Sequence, residues 1–102
     1  MNATIVMACR DPGRAIPAAE EISRLTDNSN IEFMKLDLDD LDSVKDFSQK
    51  LLQKYQKINI LINNAGVMCL PNKIESKNGF EMQLATNHIG HFYLTKQLLN
   101  TI

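Results

Sequence analysis

Leu61-Ile62-Asn63-Asn64-Ala65-Gly66 is the stretch on which the fold of this 102-residue chain turns. An apolar, β-branched run that breaks abruptly into amide and small residues reads as a buried strand giving way to a loop at its carboxyl end. The run begins at Ile58 (INILI). Two like it come earlier, TIVMA over 4–8 and IEFMKL over 31–36, with 27 residues between successive starts. Near-continuous hydrophobicity without polar alternation predicts strands covered on both faces, the pattern of a parallel sheet between helices. The interval fits one strand plus one helix. The chain therefore reads as α/β, a β-α-β-α-β-α parallel sheet with right-handed crossovers and helices on both faces, in one domain over 1–102 and truncated at both ends.

The connectors agree with this. Leu41, Val44, Phe47, Leu51 and Tyr55 recur at steps of three and four, one apolar stripe of a helix lying on a sheet. Asp39, Asp40 and Asp42 crowd its start and Lys50, Lys54 and Lys57 its end, each sign suited to the helix dipole. In the first connector Pro17 lacks the N–H that a helix interior uses, so the regular helix is expected from Pro17 to Leu25, after a turn at Asp11-Pro12-Gly13 and before a loop at Asp27-Asn28-Ser29-Asn30. Beyond the third run, Pro71 and Asn72 mark a loop, and Asn78-Gly79 leads into one long helix expected over 80–102. Its Phe80, Leu84, Ile89, Phe92, Leu98, Leu99 and Ile102 give more apolar surface than a helix with one wet face requires. Gly90 in its middle costs roughly 1 kcal/mol relative to Ala unless close packing compensates.

Composition narrows the classes. Hydrophobic residues make up 44%, enough for a packed core, and 11 Lys and Arg stand against 12 Asp and Glu without clustering. That balance points to no nucleic-acid or acidic membrane partner. Cys9 and Cys69 have no CxxC spacing, which favours a reduced, cytoplasmic setting over a disulfide framework. The opening from Met1 to Cys9 is apolar but short and runs into Arg10, so it is expected to be neither a leader nor a membrane span, and no later segment reaches spanning length.

Several residues could carry chemistry. Arg10 follows the first strand, where a Rossmann fold places the reader of the adenosine ribose: an acid for the 2′-hydroxyl of NAD, an Arg for the 2′-phosphate of NADP. From position alone it is more often an exposed loop cation, and Asp11 beside it keeps an NAD reading open. Asp37 follows the second strand, where its carboxylate could accept from an adenine amino group or simply open the next helix. Asn63-Asn64-Ala65-Gly66 ends the third strand at the edge where open α/β sheets bind ligands, although such a tetrapeptide by itself is more often an ordinary turn. Asn87 is a mediocre helix former just ahead of Gly90, a place for local distortion that could free a carbonyl to hold a water. His88 and His91 share a helix face, but no third ligand has matching spacing, so core or interface histidines are expected and no metal.

Taken in order, Ala8-Cys9-Arg10-Asp11, Leu36-Asp37-Leu38, Leu61-Ile62-Asn63-Asn64-Ala65-Gly66-Val67-Met68, Asn78-Gly79-Phe80-Glu81 and Asn87-His88-Ile89-Gly90-His91-Phe92 resemble the short-chain dehydrogenase/reductases. Within that family they are most similar to the retinol dehydrogenases and WW-domain oxidoreductases. The resemblance implies a partial Rossmann fold and NADP as cofactor, favoured by Arg10. It implies that Asp37 and Leu38 flank the adenine and that Asn64, Ala65 and Gly66 line the cofactor cleft. Asn87 would be the Asn of the family's Asn-Ser-Tyr-Lys set, supporting a water in the proton relay. The implied substrate is a hydrophobic alcohol or carbonyl such as a retinoid or steroid. The implied location is cytoplasmic, or the microsomal membrane if a parent chain carries an anchor.

The departures from the pattern are equally specific. Gly13, Gly66, Gly79 and Gly90 cannot make GxGxxG, so the helix N-terminus that cradles a pyrophosphate is missing. Tyr55 and Tyr93 have Asn59 and Gln97 four residues on, so no Tyr-x-x-x-Lys pair supplies a general acid. In strand order 3-2-1-4 the strand before Thr4 would lie between the first and third runs, so those two are expected either to pair directly or to leave backbone unpaired. The resulting expectation is part of an NADP-dependent oxidoreductase, inactive as this isolated chain. The alternative is a non-catalytic interaction module that joins a homo- or hetero-oligomer through the 80–102 helix. A receiver-like α/β domain fits the same period, but Asn63-Asn64 stands where its phosphorylatable Asp would be.

Overall fold

The computed structural model describes residues 3–102; Met1 and Asn2, the start of the opening run discussed above, lie outside them. It divides into a first unit that ends at Leu36 and a second, Asp37–Ile102. The elements in order are β1 (Ile5–Cys9), α1 (Pro12–Thr26), β2 (Ile31–Lys35), α2 (Leu41–Lys54), α3 (Met82–Leu84), a π-helical turn (Ala85–Ile89) and α4 (Gly90–Leu98).

In the first unit, β1 and β2 pair in parallel with Ile5 opposite Ile31 and Cys9 opposite Lys35, a β-α-β unit with α1 as its crossover. Asp11 opens α1 by accepting from the Gly13 N–H at 2.9 Å, as an N-cap does. Asp27 closes it in the left-handed region at φ 51° and returns its N–H to the Ser23 carbonyl. Asn28, buried in the following loop, donates to the Ala3 carbonyl at 2.9 Å and accepts from the Asn30 N–H at 3.0 Å. Ala15 and Ala19 of α1 are buried, and small side chains let the helix lie close to the sheet. The helix starts five residues earlier than Pro17, so the expectation that Pro17 opens it is corrected. Pro12 occupies the first turn, where no N–H is needed, and Pro17 sits on the exposed side, where water can take the carbonyl it leaves unbonded.

In the second unit, Val44, Phe47, Ser48 and Leu51 form the buried face of α2, packed on Leu94 and Leu98 of α4. The buried Ser48 hydroxyl donates to the Val44 carbonyl at 2.7 Å, so it needs no outside partner. The N-terminus of α2 is fully dressed. Asp40 accepts from the Asp42 and Ser43 N–H groups at 3.0 and 3.4 Å, and the Asn78 amide oxygen accepts from Leu41 N–H at 3.0 Å. Burial alone would raise the Asp40 carboxyl; the Lys77 ammonium at 3.1 Å and the two backbone donors outweigh it and hold the group below its ordinary range. Asn78 and Lys77 reach α2 from the tip of a small hairpin, in which Ser76 N–H donates to the Phe80 carbonyl at 2.7 Å, Phe80 N–H donates to the Ser76 hydroxyl at 3.2 Å, Gly79 turns at φ 84° and Glu75 bridges Glu81.

Two expectations about elements are corrected here. The third run, 58–62, forms no strand: the sheet is two-stranded, β1 with β2. A strand is defined by a neighbour that accepts its ladder, and among the described residues none pairs with this run. Its first residue donates, Ile58 N–H to the Thr101 carbonyl at 2.9 Å, and no ladder partner takes the backbone of 59–62 among the described residues, the second of the two outcomes set out above. The single helix over 80–102 is also broken. Phe80 and Glu81 belong to the hairpin, and Glu81 caps α3 by accepting from Gln83 and Leu84 N–H at 3.1 and 2.9 Å. These two backbone donors, Leu84 foremost, hold the Glu81 carboxyl below its ordinary range. The helix then widens into the π turn before α4.

Candidate functional site

The π turn is where the sequence placed Asn87. The Gly90 N–H bonds to the Ala85 carbonyl, five residues back, which inserts one extra residue and redirects the side chains that follow. Asn87 then uses its amide as a peptide group uses its own. Its Oδ1 accepts from the Val67 N–H at 2.8 Å and its Nδ2 donates to the Val67 carbonyl at 2.7 Å. This is the double exchange that a hydrogen-bonded pair makes in an antiparallel sheet, with a side chain as one partner.

The arrangement continues along the helix. One turn on, the His91 Nε2 lies 2.7 Å from the Ala65 carbonyl; another turn on, Thr95 Oγ1 accepts from the side-chain Nδ2 of Asn63 at 3.0 Å. Helix positions 87, 91 and 95 thus meet segment positions 67, 65 and 63, the two running in opposite directions. Four helical residues advance about 6.0 Å and two extended residues about 6.6 Å, so one tooth per turn stays in register. The Asn-Asn-Ala-Gly segment is held by a ladder of side chains in place of a neighbouring strand. Facing a carbonyl, the His91 Nε2 carries the proton, and its buried Nδ1 has no partner among the described residues. Thr95 is anchored by donating to the His91 carbonyl at 2.8 Å.

Close approach fixes the other side of α4. A Cβ placed on Gly90 would stand 2.3 Å from the Leu38 carbonyl oxygen, so only glycine lets the helix lie on that backbone. Leu38, expected beside an adenine, is a buried side chain in this contact, 8% exposed. Gly66 is less constrained: its Cβ would meet the Asn87 amide oxygen at 3.3 Å.

The remaining residues singled out above are placed as follows. Asn64, Ala65 and Gly66 are exposed, directly before the clamped Val67. Asp37 is half-buried, and its N–H donates to the Ser43 hydroxyl at 2.9 Å. In the first unit Arg10 is exposed one residue past β1, and its carbonyl accepts from the Lys35 ammonium. The structure thus brings Asn87 together with Gly66 and Val67 within one unit, and places Arg10 in the other. Among the described residues, no three His, Cys, Asp or Glu side chains gather as a metal site, and no helix is long and apolar enough to cross a membrane. An open groove of about 410 Å³ lies between α1 and β2, lined by Ile16, Ala19, Ile31 and Phe33, and includes none of Arg10, Asp37, Leu38, Asn64, Ala65, Gly66 and Asn87.

His91 and Thr95 were not read from the sequence as holding the Asn-Asn-Ala-Gly segment. The available signal was the spacing of Asn87, His91 and Thr95, three polar groups four residues apart on a helix otherwise rich in apolar side chains.

Known proteins share this order of parts. The chain is 42% identical over 98 residues to retinol dehydrogenase 13 of Homo sapiens, covering 96% of this chain and 29% of that protein. Among solved structures it superposes with a TM-score of 0.81 on a protein from Mycobacterium paratuberculosis, at 39% identity, covering 97% of this chain and 33% of that one. It also superposes with a TM-score of 0.73, at 22% identity, on the alcohol dehydrogenase of Thermococcus sibiricus solved with 5-hydroxy-NADP, covering 94% of this chain and 41% of that one. The chain thus spans about a third of the length of the relatives it matches, and its α/β class is that of a partial Rossmann fold. The family model for the short chain dehydrogenases matches residues 1–102. The chain belongs to the short-chain dehydrogenase/reductase family, with relatives among the retinol dehydrogenases.

Proposed function

We propose that this chain is the adenosine-binding portion of an NADP-dependent oxidoreductase acting on a hydrophobic alcohol or carbonyl of retinoid or steroid type, and that alone it transfers no hydride. The observation that carries the reading is the Asn87 clamp on Val67. It presents Asn64, Ala65 and Gly66 as exposed, small-side-chain backbone at the point where a family cofactor cleft would run.

The donor set suits half of a dinucleotide. Arg10, exposed past β1, offers the planar fork that a 2′-phosphate takes. Asp37 offers a carboxylate to an adenine amino group, Leu38 contributes a packed wall, and Asn64, Ala65 and Gly66 offer backbone. The pyrophosphate is not matched, since the four glycines include no Gly-rich loop. The bound nicotinamide group would supply hydride transfer. Of the groups that move the accompanying proton, this chain holds one, Asn87, whose amide is committed on both sides to Val67 and whose place in the π turn supports the reading that a carbonyl is freed there to hold a water. No Tyr-x-x-x-Lys pair is present to protonate a carbonyl oxygen, which is the reason for expecting no turnover.

Retinol dehydrogenase 13 acts, by its name, on retinol, and this supports the hydrophobic substrate class here. Cytoplasmic placement, or the microsomal membrane for an anchored parent, follows the same reading.

Calorimetric titration of the purified chain with NADPH tests it. No heat at micromolar protein and no oxidation of NADPH with a hydrophobic aldehyde are expected. Micromolar binding lost in Arg10→Ala would overturn the inert-fragment part of the reading, and binding indifferent to Arg10→Ala would overturn its assignment to the 2′-phosphate. A second reading, an interaction module, is favoured by one observation: Phe92 and Leu99 of the α4 region are 64% and 63% exposed.

A further inference from the structure

The ladder between β1 and β2 closes with the Leu36 N–H donating to the Cys9 carbonyl at 3.0 Å, just past the point where Cys9 stands opposite Lys35. One residue further, Arg10 leaves the sheet for the Asp11 cap of α1, and its carbonyl has no ladder partner among the described residues. The Lys35 ammonium donates to that carbonyl instead. A lysine side chain thus adds one rung beyond the sheet. It orients the peptide plane next to the Cα from which the Arg10 side chain departs.

The charges at this strand end are of one sign. Arg10 and Lys35 are both exposed, and no ion pair engages either among the described residues. The acid beside Arg10 does not neutralise it, because the Asp11 carboxylate is held at the start of α1, accepting from the Gly13 N–H at 2.9 Å. The Arg10 carbonyl takes one of the three ammonium hydrogens of Lys35, which leaves two to donate elsewhere.

We infer that Lys35 is a second residue selecting for a cofactor 2′-phosphate, an inference that rests on the assignment of Arg10 to that phosphate. Lys35 acts in two ways. Its hold on the Arg10 carbonyl sets the base of the Arg10 side chain, and its compact ammonium adds a point charge there to the planar fork of the guanidinium. The neutral 2′-hydroxyl of NAD would gain from neither.

Adenosine 2′-phosphate and adenosine 5′-phosphate carry similar charge in different places, so comparing them separates a phosphate site from general attraction to cations. Amide NMR of the 102-residue chain, titrated with each nucleotide into the millimolar range, reads half a dinucleotide site even where NADPH at micromolar protein gives no heat. The wild type is expected to bind the 2′-phosphate more tightly than the 5′-phosphate. Lys35→Met is expected to weaken the 2′-phosphate by about threefold or more while leaving the 5′-phosphate unchanged. Lys35→Arg, which can still donate and keeps the charge, is expected to retain most of the preference. Arg24→Met, the same loss of charge in the last turn of α1, is expected to change nothing. Equal weakening of both nucleotides by Lys35→Met, or the same loss in Arg24→Met, would overturn the inference by reducing it to general charge. Should Arg10→Ala remove the preference while Lys35→Met leaves it intact, the role of Lys35 falls and the assignment of Arg10 stands. A wild type without preference for the 2′-phosphate would sink both.

Discussion

Gly90→Ala should destabilise the chain, although in an open helix the same change is favourable by roughly 1 kcal/mol. An added Cβ would lie 2.3 Å from the Leu38 carbonyl oxygen and 3.0 Å from both the Leu38 carbonyl carbon and Cβ. Comfortable separations are about 3.5 Å or more, so the helix and that backbone must part by roughly 1 Å. Neither side can give way cheaply. The obstacle is main chain, not the end of a flexible side chain, and α4 is pinned on its far end by Leu94 and Leu98, which are 4% and 0% exposed. Overpacking of this kind costs about 1–3 kcal/mol. With the helix-propensity gain subtracted, a net loss of about 1–2 kcal/mol is expected at the upper end of that range. Urea unfolding followed by far-UV circular dichroism reads it as a lower midpoint at unchanged slope. Gly66→Ala is the milder comparison: its Cβ would meet the Asn87 amide oxygen at 3.3 Å, which calls for a shift of only a few tenths of an ångström, and a loss smaller than that of Gly90→Ala and no more than about 1 kcal/mol is expected. A Gly90→Ala chain as stable as the wild type, or more so, would refute the claim that α4 rests on the Leu38 backbone.

Asn87→Ala removes both bonds to Val67 and should cost about 1 kcal/mol at this exposed site; Asn87→Asp should cost more, because a carboxylate can accept from the Val67 N–H but repels the Val67 carbonyl. Hydrogen exchange at Val67 gives the readout, with faster exchange expected in both. Asp40→Ala should cost about 1 kcal/mol through loss of the α2 cap, whereas Asp40→Asn keeps the cap and loses only the charge. Because the folded Asp40 carboxyl lies below its ordinary 3.8, its charge contributes stability above that value and loses it as pH falls through the folded pKa. The gap between wild type and Asp40→Asn should therefore be small at neutral pH and vanish in acid. Lys77, in the same pair, has 65% of its side chain exposed, so Lys77→Met should leave the thermal midpoint almost unchanged, and any shift should shrink further in high salt.

The parts of the fold that were legible in the sequence are those settled by local physics. The stripe from Leu41 to Tyr55 predicted α2 because a helix buries what recurs at three and four, and Val44, Phe47 and Leu51 are buried as that spacing requires. β1 and β2 were legible because each finds the other, 26 residues away, through a helix that can reach across. The run at 58–62 has the strongest strand composition of the three and yet forms no strand, since pairing belongs to a neighbour and composition cannot supply one. Pro17 misled in the opposite direction: its local cost is real, but an exposed helix face lets water absorb it. At the candidate site, distortion near Asn87 was legible from an amide followed closely by Gly90. The partners of that distortion were not, because His91 and Thr95 act on residues 26 and 32 positions away.

That last contrast explains how a strand-poor chain can still present the Asn-Asn-Ala-Gly segment. A backbone run can be held by another backbone, which fixes every residue, or by side chains from a helix, which fix every second one. Asn87 and His91 do the second, Thr95 adds a contact to the Asn63 side chain, and the match of about 6.0 Å per helical turn to about 6.6 Å per two extended residues is what makes it workable over three teeth. The mismatch of roughly 0.6 Å per tooth accumulates, so the device cannot extend far, and it ends at Asn63, leaving 59–62 without a ladder partner among the described residues. The same geometry that orders the segment near Gly66 thus leaves the Ile60 region unpaired. A fourth tooth is the direct test: Leu99, four residues beyond Thr95 and 63% exposed, is the position from which the next odd position, Leu61, would have to be met. Leu99→Asn should gain little or no protection of the Leu61 amide in hydrogen exchange if the register has drifted as argued, whereas protection comparable to that at Val67 would show that the ladder is limited by residue type and not by pitch.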